Sequence, residues 1–191
     1  MKQMLQSLEK EIATRNISTQ DVSKYLSAIP KLTNRRIIYG YASVAMIDRE
    51  NQKISISALR DATKRFMAEP YYRPITIFHS DAVVGRIIPK FTDPKSGKEY
   101  KTEVDGTGWK IIAEIRNDIE LAHKIWEEVL KGNIKSFSVA GTSKKKHIDS
   151  NHGISYTEID ELDLFETTLC SIPVNPMAIF EVLWDPNKVA I

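Results

Sequence analysis

Ser138, His79 and Glu166 are the residues of this chain best suited to do chemistry together. A serine hydroxyl is a weak nucleophile until a base takes its proton. A neutral imidazole can act as that base. A third group must then accept a hydrogen bond from its other ring nitrogen, which fixes the tautomer and stabilises the cation. Each residue falls on what reads as one apolar face of a strand: Ile75-Ile77-His79, Ile134-Ser136-Ser138-Ala140, and Leu162-Leu164-Glu166-Thr168-Cys170-Ile172. Alternate side chains of a strand share a face. A buried, unpaired carboxylate is costly, so the three groups are expected to satisfy one another or find other partners. Ser138 does not stand in GxSxG, so it must act from a strand and not from a nucleophile elbow. Strand parity alone favours a plainer reading, in which a core histidine, a strand serine and a salt-bridged glutamate are each satisfied locally.

The elements that must position these residues are legible in the pattern. Met4, Leu5, Leu8 and Ile12 recur at helical spacing over Met1–Arg15, and a second short helix is expected from Ser18–Asp21 to Leu26, stopped near Pro30. RIIYGYASVAMID reads as a strand bent at Gly40. Ser57 is the expected cap of a helix to Ala68 with Leu59, Ala62, Phe66 and Met67 inward, closed off by Pro70 and Pro74. RPITIFH and VVGRIIPKF flank a Ser80-Asp81 turn, and the polar stretch from Thr92 to Gly108 is a loop or exposed hairpin. GWKIIAEI places Trp109, Ile111, Ala113 and Ile115 on one face. A helix capped by Asp118 runs to Leu130, with Leu121, Ala122, Ile125, Trp126 and Val129 inward and Gly132 as its stop. IKSFSVAG is a strand, and SKKKHIDSNHG a basic polar loop whose lysines, His147 and His152 are solvated. ISYTEI and LDLFETTLCSI are two further strands, ended by Pro173, Asn175 and Pro176, and a last short element holds Ile179, Phe180, Val182 and Leu183. This order predicts an α+β fold, a mainly antiparallel β-barrel surrounded by helices, and not βαβ winding.

Composition bounds the function. The chain has 191 residues, 42% of them hydrophobic, enough for one sizeable core. A net charge of +2 carries no global nucleic-acid footprint. The one cysteine, Cys170, permits no disulfide within the chain, which fits a reducing compartment. The N-terminus is too charged for a secretory core, and no apolar run approaches the roughly 18–20 residues of a membrane span. GxGxxG, phosphate-loop and CxxC patterns are absent. His123 and Glu127 lie four apart on one helix face and could join His79 and Asp81 around a metal, but no HExxH supports this, and the pair reads as a surface interaction. No cofactor or metal is expected.

Four blocks stand in order along the chain: YGYASVAMID, then IFHSDAVVGRI around His79, then LAHKIWEEVLKGNIKSFSVAG leading into Ser138, then ELDLFETTLCSIPVNPMAIF. In this order they resemble the prohead, or capsid-maturation, serine proteases of tailed phages, related to herpesvirus assemblin. The resemblance spans roughly Ile37–Glu181. It implies a herpesvirus-protease-like fold and a Ser-His dyad with a third member: Ser138 as nucleophile, His79 as general base and Glu166 as the group orienting His79. It also implies oxyanion donors near Val139, Ala140 and Gly141. Two departures bear on that last point. Glycine is common two residues after the serine, where this chain has Ala140, and the herpes branch carries arginines where this chain has Pro173-Val174-Asn175-Pro176.

The implied substrates are a scaffold protein and the N-terminal region of the major capsid protein, cleaved inside the procapsid in the host cytoplasm, and the protease itself. A homo-oligomer such as a dimer is expected, with no nucleic-acid or membrane partner. Residues 1–34 read as a helical extension that can dock, mediate association or be removed, 35–184 as the protease domain and 185–191 as a short tail. The alternative is a non-catalytic capsid-assembly or scaffold protein that retains the fold. What separates the two is whether the Ser138 hydroxyl and a His79 ring nitrogen can approach hydrogen-bond distance.

Overall fold

The computed structural model describes residues 34–68 and 73–186. Both expected N-terminal helices, with Pro30 and Pro70, lie outside the described residues. In chain order the elements are β1 (Arg36–Val44), β2 (Gln52–Ile54), α1 (Ile56–Ala68), β3 (Pro74–Ile77), β4 (Val83–Ile88), β5 (Lys90–Thr92), β6 (Glu99–Lys101), β7 (Glu103–Val104), β8 (Gly108–Ile115), α2 (Glu120–Leu130), β9 (Ser136–Asn151), β10 (Ile154–Cys170) and β11 (Phe180–Trp184). The fold is thus α+β and mostly strands. The main sheet runs β11-β1-β8-β4-β3-β10-β2, with β7 on β8 and β9 on β10, while β5 and β6 form a separate hairpin. Pairing is antiparallel except where β10 meets β2 and β3. No helix among the described residues is long and apolar enough to cross a membrane.

The sheet does not close into a barrel, which corrects the expected architecture. Its two ends meet at one isolated bridge, Ser136 with Ile179, supported by the bonds Phe137 N to Ala178 O and Phe180 N to Lys135 O. Beyond that point β11 pairs with β1, starting at Phe180 opposite Gly40, while β9 runs on with β10. No continuous ladder can then join the two edges. Gly40 is needed at this junction, because a Cβ there would lie 2.1 Å from the Ile179 carbonyl oxygen.

One face of the sheet carries the larger core cluster, and residues of opposite parity, Ile37, Ile88 and Ile112, form a second with Phe91 and Trp184. Trp109, Ile111, Ala113 and Ile115 of β8 lie on one side as the alternation predicts, packed with Ile38, Ile75, Ile77, Phe137 and Leu169. Both helices close over this core. Phe66 of α1 meets Trp109 edge to face at 5.9 Å, and Ala122, Ile125, Trp126 and Val129 of α2 are buried. Leu121, expected inward, is 42% exposed.

The helix ends differ from expectation in detail. Ser55, not Ser57, caps α1: its Oγ accepts from Ala58 N at 3.1 Å and its carbonyl from Leu59 N. Asp118 does not cap α2 but pairs with Arg116, and Ile119 stands at the N-cap of α2 without a side-chain cap bond. Gly132 ends α2 in the left-handed conformation, as expected.

The larger difference lies between residues 142 and 161. The basic segment is not a loop, and the two following strands are one. β9 and β10 form a long two-stranded ribbon turning at His152-Gly153, both with positive φ. Cross-strand charges compensate its polar sequence, with Lys144 on Asp163 and His147 on Asp160. Alternation of hydrophobic and polar residues is the usual strand signal, and a ribbon exposed on both faces lacks it.

Candidate active site

β3, β9 and β10 lie side by side, and their register brings the polar residues to one face. Thr168 stands opposite Ser138 on β9 and opposite Thr76 on β3. The intervening residues, Phe137, Leu169, Ile75 and Ile77, belong to the core. Ser138 therefore faces away from the core cluster, on a polar face and not on an apolar one.

Glu166 reaches that face through an irregularity. The register slips between Leu164, opposite Gly141, and Glu166, opposite Ala140. Two residues of β10 thus span one step of β9, and Phe165 is left 61% exposed. Uniform parity across Leu162-Leu164-Glu166 does not hold: Leu162 and Leu164 pack in the apolar clusters, whereas Glu166 lies with Thr168 and Ser138. Gly141 permits this step, since a Cβ there would sit 2.6 Å from Leu162 Cδ1 and 2.7 Å from the Asp163 carbonyl oxygen. Gly141→Val is accordingly expected to cost roughly 1–3 kcal/mol by overpacking at the bulge. Its urea midpoint beside wild type checks this.

His79 is re-aimed as well. β3 ends at Ile77, and Phe78 and His79 both take left-handed conformations, with φ of 51° and 52°. Such values are uncommon outside glycine and cost energy. Four bonds hold the turn: Phe78 N to Leu169 O, His79 N to Thr168 Oγ1, and both Ser80 N and Ser80 Oγ to Ile77 O. The turn breaks the alternation, so His79 does not continue the Ile75-Ile77 face.

His79 Nδ1 and Glu166 Oε2 are 2.8 Å apart. Burial pushes the Glu166 carboxyl up, but the hydrogen bonds from Thr76 and His79 and the charge of His79 outweigh it, leaving a net lowering. Glu166 is thus a carboxylate near neutral pH and an acceptor for Nδ1–H; in the tautomer that donates from Nδ1, Nε2 is the acceptor. Thr76 Oγ1 donates to the other carboxylate oxygen at 2.6 Å.

Ser138 is 8% exposed. It lines a cleft of about 310 Å³ together with His79, Val139, Ala140, Gly141 and Asn175. Its hydroxyl makes no hydrogen bond to His79 here. Catalytic contacts are commonly long in the absence of substrate and tighten around it. Cys170, also on this face, has its thiol pushed up by burial and is no rival nucleophile. His123 is occupied elsewhere, bonded to Arg36 at 2.6 Å and to the Asn117 carbonyl at 2.9 Å. Thr76 and Thr168 are the residues the sequence reading missed. Thr168 shares parity with Glu166 two positions before it, but threonine is common in strands, and Thr76, three positions before His79, has the opposite parity and gave no signal.

Among solved structures, the chain is similar to KSHV protease in complex with a hexapeptide phosphonate inhibitor, at 13% identity and a TM-score of 0.47. The similarity covers 80% of this chain and 66% of that one, so this chain spans just under two thirds of the herpesvirus protease's length. No curated protein matches it. Residues 28–185, most of the chain and all four of the blocks above, match the caudovirus prohead serine proteases, and the chain belongs to that family.

Proposed function

We propose that this chain is the serine endopeptidase that matures a tailed-virus procapsid, cleaving scaffold protein and the N-terminal region of the major capsid protein through an acyl-enzyme on Ser138. The observation that carries this is the 2.8 Å bond between His79 Nδ1 and Glu166, at a cleft that His79 lines together with Ser138; with Nδ1–H donating to the carboxylate, Nε2 is the ring nitrogen left to act as base. Ser138 Oγ attacks the scissile carbonyl carbon while Nε2 takes its proton. The tetrahedral intermediate collapses as His79 returns that proton to the leaving amine. Water then repeats the sequence to free Ser138.

For the oxyanion, the backbone of β9 favours Val139. Phe137 N bonds Ala178 O, away from β10. In an antiparallel ladder the residue two further on directs its N–H the same way, so Val139 N–H opens toward the cleft while Ala140 N–H turns to β10. Gly141 lies beyond the register slip and serves the bulge.

In this reading residues 35–184 are the protease domain, acting inside the procapsid in the host cytoplasm, and 1–34 are an extension open to self-cleavage. The test is mass spectrometry of the protein co-expressed with its capsid and scaffold proteins, wild type beside Ser138→Ala. Cleavage products unique to wild type support the reading and map the cut sites. Identical products from both refute it. Intact proteins in both lanes favour a non-catalytic assembly protein.

A further inference from the structure

Resting on this reading of Ser138, His79 and Glu166, we infer that Thr76 is a positioning residue, whose hydroxyl fixes the Glu166 carboxylate so that its second oxygen meets the His79 ring. A carboxylate with one donor is free to turn about its last bond. Glu166 has two donors, one on each oxygen: Thr76 Oγ1 at 2.6 Å on Oε1 and His79 Nδ1 at 2.8 Å on Oε2. Both oxygens are committed, and the plane of the carboxylate follows.

The strand register supplies this geometry. Thr76 is the direct neighbour of Thr168 on parallel strands, and Glu166 lies two residues before Thr168 on the same face. Thr76 is also three residues before His79 on the same short segment, so one stretch of chain holds both donors. Thr168 supports the arrangement from the other side, its Oγ1 accepting His79 N–H at 3.1 Å.

A buried threonine does not acquire such a role by default. Thr167, next along β10 and fully buried, has no hydrogen-bond partner for its Oγ1 among the described residues. Thr76 is 7% exposed, so water competes little for its hydroxyl. A charge-assisted bond in that setting outweighs an ordinary hydroxyl contact.

The experiment is the rate at which a fluorophosphonate probe labels Ser138, which requires no knowledge of the natural substrate. Ser138 Oγ forms a bond to phosphorus, fluoride leaves, and the hydroxyl proton passes to His79. Thr76→Val is expected to slow labelling roughly tenfold, the scale of one hydrogen bond to a charged group. Thr76→Ser, which keeps the donor, is expected to restore most of the rate. In a Glu166→Gln background Thr76→Val is expected to add almost nothing, because its effect passes through that carboxylate. A general packing defect would instead slow both backgrounds alike, and that result overturns the inference, as does wild-type labelling by Thr76→Val. If Thr76→Val does not fold by its thermal melt, Thr76→Cys takes its place, keeping bulk with a weak donor. A wild-type protein left unlabelled overturns the serine-protease reading itself, and is distinct from labelling that ignores Thr76.

Discussion

Ser138→Ala is expected to lower peptide hydrolysis by at least roughly 10⁴-fold while leaving stability within about 1 kcal/mol of wild type. The rate is expected to fall because the substitution removes the hydroxyl proposed as nucleophile. Cys170 shares the face, but burial holds its thiol in the unreactive protonated form. Stability is spared because the Ser138 hydroxyl has no hydrogen-bond partner to orphan among the described residues, and Ala140, two residues along the same strand, is already alanine. Matched urea midpoints with no capsid or scaffold cleavage on a gel would agree with this. A variant that both unfolds and loses activity would make Ser138 a structural residue.

Glu166→Gln is expected to cost roughly 10²–10⁴-fold in rate, with measurable activity left. The carboxylate accepts from two donors, Thr76 and His79. A carboxamide offers one acceptor oxygen and one NH₂ group. If the NH₂ faces His79, the ring must carry its proton on Nε2 and cannot take one from Ser138. If it faces Thr76, the positive charge that forms on His79 has no counter-ion. The same substitution changes acid stability in a defined direction. Hydrogen bonds from Thr76 and His79 hold the folded carboxyl below its ordinary value, despite the opposing effect of burial. Its contribution is therefore present above the unfolded pKa of about 4.3 and is lost as pH falls through the lower folded value. Urea midpoints measured through that range should fall less steeply for Glu166→Gln than for wild type. Parallel slopes would show that Glu166 carries no folded-state stabilisation.

Much of the scaffold was legible because its signals are local. The face Trp109, Ile111, Ala113 and Ile115 follows from period-two alternation, and the buried stripe of α2 from helical spacing, apart from Leu121. The ribbon was not legible. Residues 142–151 are largely exposed, so no buried face imprints alternation on Lys144-Lys145-Lys146. That ladder exists because β10 offers a pairing edge along its whole length. Barrel closure was likewise invisible, since it turns on whether β9 and β11 share more than the Ser136–Ile179 bridge.

By itself the sequence determined the family, the α+β class and the three residue types in their order, because the spacing of motifs and the periodicity of local elements are properties of the chain alone. How those residues meet was decided only in three dimensions. Strand parity assigned His79 and Glu166 to apolar faces, and two departures from regular strand geometry moved them off: the left-handed pair Phe78-His79 and the bulge before Glu166. Both departures are paid for by contacts distant in sequence, from Thr168, Leu169 and the backbone around Gly141. Parity counting assumes an unbroken pleat, and the pleat breaks here because long-range bonds and close packing outweigh local preference.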